Sequence, residues 1–284
     1  MRILIHLNAL HAYAQEVSFS PHIFRLFPKS DRFVSLRSAQ FQTNEGATVQ
    51  YRRDIFDNEV ASCFFPLTSN QLQARMELEL QLKERNAFDF LLASHALNFP
   101  FTYLPEEARV LAPYREIVPP ALRVELPFWR PSSGPVPTVS ALIELNNALH
   151  NNLRYERREE GAARSPEETL SLGMGACRDF SVLLAAVLRT HGLAARLASG
   201  YLCEFGEQQK RAEGALHAWT EVYLPGAGWV GIDPTNGIFC NHNHITAAVG
   251  LTPEDIAPMS GSYFAPTTVP ATMLVSLEME LCEQ

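Results

Sequence analysis

Residues 217–237 read HAWTEVYLPGAGWVGIDPTNG. His217, Trp219, Glu221 and Tyr223 alternate with Ala218, Thr220, Val222 and Leu224, which is the period of a strand. Pro225-Gly226-Ala227-Gly228 is a turn signal. WVGID, residues 229–233, is a second strand, and Pro234 ends it because proline cannot continue a central ladder. The stretch is an antiparallel hairpin. A simple turn around Gly226-Ala227 pairs Asp233 with Thr220 rather than His217, so a bulge or a longer turn is needed to bring Asp233 to His217.

Immediately upstream, ARLASGYL at 195–202 reads as another strand. Before it, residues 178–191 form a helical run that is apolar nearly all round (Phe180, Val182, Leu183, Leu184, Val187, Leu188). That predicts a buried central helix with Gly192 just past its end. Cys177 opens this helix after Gly173-Met174-Gly175-Ala176. A helix N-terminus offers unpaired N–H groups and partial positive charge, which favour thiolate, and the glycines let a substrate backbone approach. Taken alone, a free cysteine packs more often as a small hydrophobe. His217 follows 40 residues later and Asp233 another 16. A thiol nucleophile needs a base, and a carboxylate can hold that base in the useful tautomer.

Further upstream, Ser165-Pro166-Glu167-Glu168 is a helix start with Ser165 as N-cap and Glu168 closing a capping box. Leu142, Leu145, Leu149 and Leu153 mark an amphipathic helix. PFWRPSSGPVP, residues 127–137, is the expected linker. The first half has strand texture. In the run from Leu72 to Leu82, Leu78, Leu80 and Leu82 face one way and Glu77, Glu79 and Gln81 the other; a helix competes there because the residues are good helix formers. Asp57-Asn58 reads as a turn between two strands. The expected organisation is an N-terminal antiparallel β domain at 1–126, the linker at 127–137, and an α+β core at 138–284.

Composition narrows the class. Of 284 residues, 46% are hydrophobic and 19% charged, which suits a packed globular chain. A net charge of −8 disfavours a phosphate backbone as partner, so nucleic acid is not expected. His6, His11 and Glu16 interrupt the first apolar stretch, so no signal peptide is expected, and no run reaches the roughly 18 apolar residues of a membrane span. Five scattered cysteines do not form a disulfide framework, and the expected compartment is the reducing cytoplasm.

GMGACRDFSVLL, ARLASGYL and HAWTEVYLPGAGWVGIDPTNG, in this order, resemble the catalytic core of the bacterial transglutaminase-like superfamily, some of whose members are described as cysteine proteases. HITAAVGLTPEDIAPMSGSYF is similar to that family's ending. SPHIFRLFPKSDRF and the later Asp54-Ile55-Phe56-Asp57-Asn58 resemble the β domain that precedes such cores, with Asp57 where the family pattern has glycine. The resemblance implies a papain-like arrangement, with a central helix packed on an antiparallel sheet and a catalytic Cys177, His217 and Asp233. Cys177 would attack a carboxamide to form a thioester. Its own N–H would be one oxyanion donor, and Tyr155 is a candidate for the second. Trp219 and Gly175 are further cleft candidates. Asp179, in the first turn of its helix, is expected to be stabilised by the helix dipole and only secondarily to shape the site.

Cys240, His242 and His244 have zinc-ligand chemistry, but Asn241 and Asn243 suggest a loop and a fourth ligand is not evident; no metal and no cofactor is assigned. Three functions remain open: a cysteine hydrolase of peptide or other amide bonds, a transglutaminase-type acyltransferase, and a non-catalytic binding module. The expected partner is a protein or peptide substrate, with no membrane and no assigned oligomeric state.

Overall fold

A computed structural model of the chain describes residues 1–117, 123–158, 161–203 and 211–282. It is an α+β structure with mainly antiparallel sheets, as expected. The run from 72 to 82 settles as part of a strand, Ser69–Leu82. Leu72, Ala74, Met76, Leu78, Leu80 and Leu82 are buried, whereas Glu77, Glu79 and Gln81 face outward. Helix propensity loses because period-two patterning places every apolar residue on one wall. This strand pairs with Arg2–Phe19, which pairs on its other side with the last strand, Ala271–Cys282.

That last pairing changes the expected division. The sheet begun by the first strand is extended by residues 271–282 and, beyond them, by Arg211–Glu213, while Phe99, Val124 and Leu126 sit in the helical core cluster with Phe180 and Leu184. The 127–137 segment does not behave as a free linker either. Phe128, Trp129 and Val136 pack on the same cluster, and Val136–Pro137 pairs with Asn98–Phe99. Apolar side chains in a proline-rich stretch still go where they can leave water. The linear boundaries at 126 and 137 thus give way to two interleaved layers.

The second layer is a five-stranded sheet in the order Ile238–Phe239, Gly228–Asp233, Ala215–Leu224, Ala195–Leu202, His244–Gly250. The helix Cys177–Thr190 packs on its centre through Phe180, Leu183, Leu184 and Val187 against Leu197, Ala218, Val222 and Ile232. Helix Thr138–Asn152 buries Leu142, Leu145 and Leu149 in the same cluster. The Ser165 cap is present: its hydroxyl accepts from Glu168 N (3.2 Å), and the Glu168 carboxylate accepts from Ser165 N (2.8 Å). Gly173 ends that short helix at φ 63°.

A four-stranded sheet that contains Thr48–Arg53 and Glu59–Phe64 is tied to the second layer by the Asp57-Asn58 turn between those two strands. Asp57 lies at φ 59°, in the left-handed region where asparagine and aspartate are the best tolerated after glycine, which accounts for the departure from the family pattern. Asn58 is fully buried. Its Nδ2 donates to Val249 O (2.8 Å) and its Oδ1 accepts from Val249 N (2.9 Å), so one side-chain amide copies a backbone pairing with the strand 244–250.

Candidate active site

Cys177 takes the first position of its helix, after an extended Ala176. The approach is held by Asp179, whose side chain is fully buried. Its carboxylate accepts from Ala176 N (2.8 Å), Arg164 N (2.8 Å) and Arg158 Nη2 (2.7 and 2.9 Å). Asp179 thus borders no open cleft; it braces the turn behind the thiol. Gly175 is required by this packing, since a Cβ there would lie 2.8 Å from Asp179 Cβ. The pair Met174–Gly175 runs parallel to Arg154–Tyr155, which sets Tyr155 opposite Gly175 and 49% exposed at the rim. Arg178 donates to Arg158 O (2.8 Å), a structural contact.

His217 and Asp233 meet because of the turn between their strands. Leu224 pairs with Gly228 and Thr220 with Ile232, so the loop is the three residues Pro225-Gly226-Ala227. Ala227 N donates to Leu224 O (2.9 Å) and Gly228 sits at φ 79°, the arrangement of a three-residue hairpin loop closed by glycine. The register is one residue away from that of a simple turn around Gly226-Ala227. Continued by one step, it sets Asp233 opposite Trp219 instead of Thr220. Opposite residues share a face, so Asp233 lies on the face of His217 and on its diagonal. The loop tip is also clamped: Ala93 N donates to Pro225 O (2.8 Å), and a Cβ on Gly226 would lie 2.5 Å from Ala93 N.

His217 Nε2 is 2.8 Å from Asp233 Oδ2, with both side chains buried. Cys177 lies beside the same imidazole and acts on its charge, and Nδ1 is the ring nitrogen not turned to Asp233. Burial alone would discharge the ring, but hydrogen bonds and charge from Asp233 and Cys177 outweigh it and raise His217 to about 10. Burial likewise works against an ionised Asp233, but hydrogen bonds from His217 and His244, with the charge of His217, hold it well below the carboxylate range. Asp233 Oδ1 also accepts from Thr235 N (2.9 Å) and Asn236 N (3.2 Å), and Oδ2 from Asn236 Nδ2 (2.8 Å). An ionised carboxylate only accepts, so His217 Nε2 donates to it.

The other candidates separate. Trp219 is 1% exposed and packs with Ala198, Cys240 and Val249, so it backs the imidazole from within the sheet. Trp229 stacks under Arg196 and beside Tyr114 and Tyr223. Cys240 is buried against Gly231. His244, which the sequence grouped with Cys240 and His242, instead reaches Asp233 Oδ2 through Nε2 at 3.1 Å. Among the described residues, His217, Asp233 and His244 are the one group of such side chains close enough to share an ion, and their contacts are those of hydrogen bonds. The one sequence clue to His244 was its place in the family ending.

Comparisons with known proteins agree with this architecture. Over 98% of this chain and 90% of the other, the fold superposes with TM-score 0.64 and 18% identity on a protein from Cytophaga hutchinsonii named as a candidate cysteine protease. An uncharacterized Mycobacterium leprae protein is 34% identical over 125 residues, 43% of this chain and 44% of that one. An uncharacterized Mycobacterium tuberculosis protein is 31% identical over 132 residues, 44% of this chain and 42% of that one. The chain thus matches less than half the length of these curated relatives. Among the described residues no helix is long and apolar enough to cross a membrane. Residues 131–234 match the transglutaminase-like superfamily and residues 3–81 the bacterial transglutaminase-like N-terminal region. With its helix-borne cysteine and its buried His–Asp pair, the chain thus carries a transglutaminase-like core preceded by a bacterial transglutaminase-like N-terminal region.

Proposed function

We propose that this chain is a cysteine-dependent hydrolase of amide bonds in peptides or proteins, working through a thioester. The observation that carries this reading is one imidazole, His217, held by the buried carboxylate of Asp233 at 2.8 Å and lying beside Cys177 at the start of its helix. In the proposed cycle His217 takes the Cys177 proton and the sulfur attacks the amide carbon. The resulting oxyanion is met by N–H groups at the helix start, where no intrahelical acceptor competes. His217 returns the proton to the leaving amine, the C–N bond breaks, and an acyl thioester remains. Water, deprotonated by His217, then attacks the thioester; the carboxylic acid leaves and the thiol is restored. Asp233 holds the ring with Nδ1 toward sulfur throughout.

An acyltransferase shares every step up to the thioester and differs only in an amine taking the place of water. The Cytophaga hutchinsonii neighbour's name favours the hydrolytic branch. The proposed substrate is a protein or peptide, and the five free thiols suit a reducing compartment such as the cytoplasm.

Iodoacetamide at pH 6 tests the thiol. Cys63 and Cys203 are buried, and that burial pushes each up to about 12, so neither should react. Cys282 is partly exposed like Cys177 and is the fair reference. Cys177 should label well ahead of Cys282; equal rates would overturn the activated-thiol reading. Casein with a fluorescent amine then separates the branches. New termini without dye support hydrolysis, and dye incorporation lost in Cys177→Ala supports transfer.

A further inference from the structure

We infer that His244 is a positioning residue that fixes the orientation and tautomer of His217 by way of Asp233. The inference rests on the reading of Cys177 as nucleophile, and it begins with a register fault in the sheet. Strand Ala195–Leu202 pairs Leu197 with Gly250, Ala198 with Val249 and Ser199 with Ala248, but then Gly200 with Thr246, Tyr201 with Ile245 and Leu202 with His244. Ala247 is therefore an extra, bulged residue. In its absence the alternation from Val249 would carry Ala247 and Ile245 onto the face of Trp219 and His217. The bulge exchanges them for Thr246 and His244, re-aiming an imidazole at the carboxylate.

Gly200 makes the bulge possible. A Cβ there would lie 1.9 Å from Ile245 O and 2.9 Å from Ala247 N, so the inward step of the bulged backbone occupies the space of a side chain. Gly200 also pairs with His217 on its other side, so the fault sits directly beside the catalytic strand.

The tautomer of His244 follows from its two contacts. Asn241 N donates to Nδ1 (3.4 Å), which leaves the ring proton on Nε2, pointing at Asp233 Oδ2. The ring is held edge-on to Trp219 (centroids 5.4 Å apart, 82°), and the same indole stacks on His217 (6.3 Å, 28°). Asp233 Oδ2 therefore receives donors from His217, His244 and Asn236. Three fixed donors leave the carboxylate no freedom to rotate and none to accept a proton. His217 Nε2 must stay protonated against it, and Nδ1 remains the basic nitrogen facing Cys177. His244 meets the pair at Asp233, and its effect passes through that carboxylate.

Iodoacetamide kinetics on the full chain test this without a substrate, with Cys282 as reference within the same molecule. His244→Leu removes the donor and should slow Cys177 alkylation at pH 6 roughly ten- to a hundredfold. His244→Gln keeps an N–H donor and should recover most of that loss. A His244→Leu chain that folds and alkylates Cys177 at the unmodified rate overturns the proposal, as does failure of His244→Gln to recover any of the loss. Nitrogen-15 NMR of the unmodified protein gives a readout that needs no variant: His244 should carry its proton on Nε2 at pH 7, and a proton on Nδ1 alone overturns the assignment. Stoichiometric zinc in the purified protein that departs with a chelator, freeing the His217 and His244 ring nitrogens, would replace the hydrogen-bond assignment and overturn it too. If Cys177 in the unmodified chain reacts no faster than Cys282, the hydrolase reading fails; if only the His244 variants match a fast unmodified chain, this inference alone fails.

Discussion

The two large sheets of this molecule are built from similar residues but obey their patterning differently. In the sheet of the first and last strands, the strand Ser69–Leu82 buries every second residue from Leu72 onward and leaves the rest wet, and its alternation can be read off the letters. In the sheet beneath the Cys177 helix, the strand Ala215–Leu224 is buried on both faces from His217 to Val222. Alternation there carries no mark of which side is which, because both sides are dry. Register in the first sheet follows its wet and dry faces, with shifts at Ala12/Val17 and Leu36/Ser38; in the second, where no face is wet, it depends on a three-residue loop and a one-residue bulge. Both devices act at the same place, turning Asp233 and His244 onto the face of His217. A sheet with one wet face makes a scaffold, and in the doubly buried sheet a loop and a bulge gather the candidate site.

Substitutions can break that contrast, beginning with the largest effect. Asp233→Asn keeps the size of the side chain but offers an amide to rings that now donate, and should lower turnover by roughly 10³- to 10⁴-fold in the casein assay with cooperative unfolding retained. A loss below about tenfold would mean that the register-dependent contact is dispensable. Leu78→Ala in the first sheet should cost about 2–5 kcal/mol by urea unfolding, while the alkylation rate of Cys177 in the folded fraction stays unchanged. Gly200→Ala should cost less, about 1–3 kcal/mol, yet should slow that alkylation, because the bulge cannot hold its place beside a Cβ. If Leu78→Ala were the substitution that disturbed the thiol, the division between scaffold and site would collapse.

The smallest effect is a pH dependence. His217 is raised in the folded chain, so its contribution to stability is complete below about 6.5, its unfolded value, and is lost as pH rises toward 10. Asp233 is lowered, so its contribution is present above about 3.9 and lost in acid. Both describe one coupled pair. The stability difference between the unmodified chain and His217→Gln should be greatest near pH 5.5 and shrink through pH 7.5 to 9.5 in urea titrations. A difference that stays level across that range would show that the pair does not bear on folding.

Much of the chain was legible beforehand where local chemistry decides. The Ser165 capping box, the Gly173 and Gly192 helix ends and the apolar run from Phe180 to Leu188 each rest on neighbours a few residues apart. The N-terminal alternation was legible for the same reason. The linear domain division failed because pairing of 271–282 with the first strand joins residues more than 250 apart, which no window of sequence can weigh. Trp219 drew attention as a cleft wall because a tryptophan beside a histidine reads the same whether it lines a groove or fills a sheet; its burial comes from Ala198, Cys240 and Val249, on three other segments. His244 was read with Cys240 and His242 because spacing is visible and a bulge is not.

By itself, then, the sequence determined the elements, the order of Cys177, His217 and Asp233, and the family that this order resembles. Tertiary structure alone decided which face each side chain takes. The physical reason is the two-residue period of a strand. One extra residue in the hairpin loop, and another at Ala247, invert every side chain beyond them, and only the paired backbone records where those residues went.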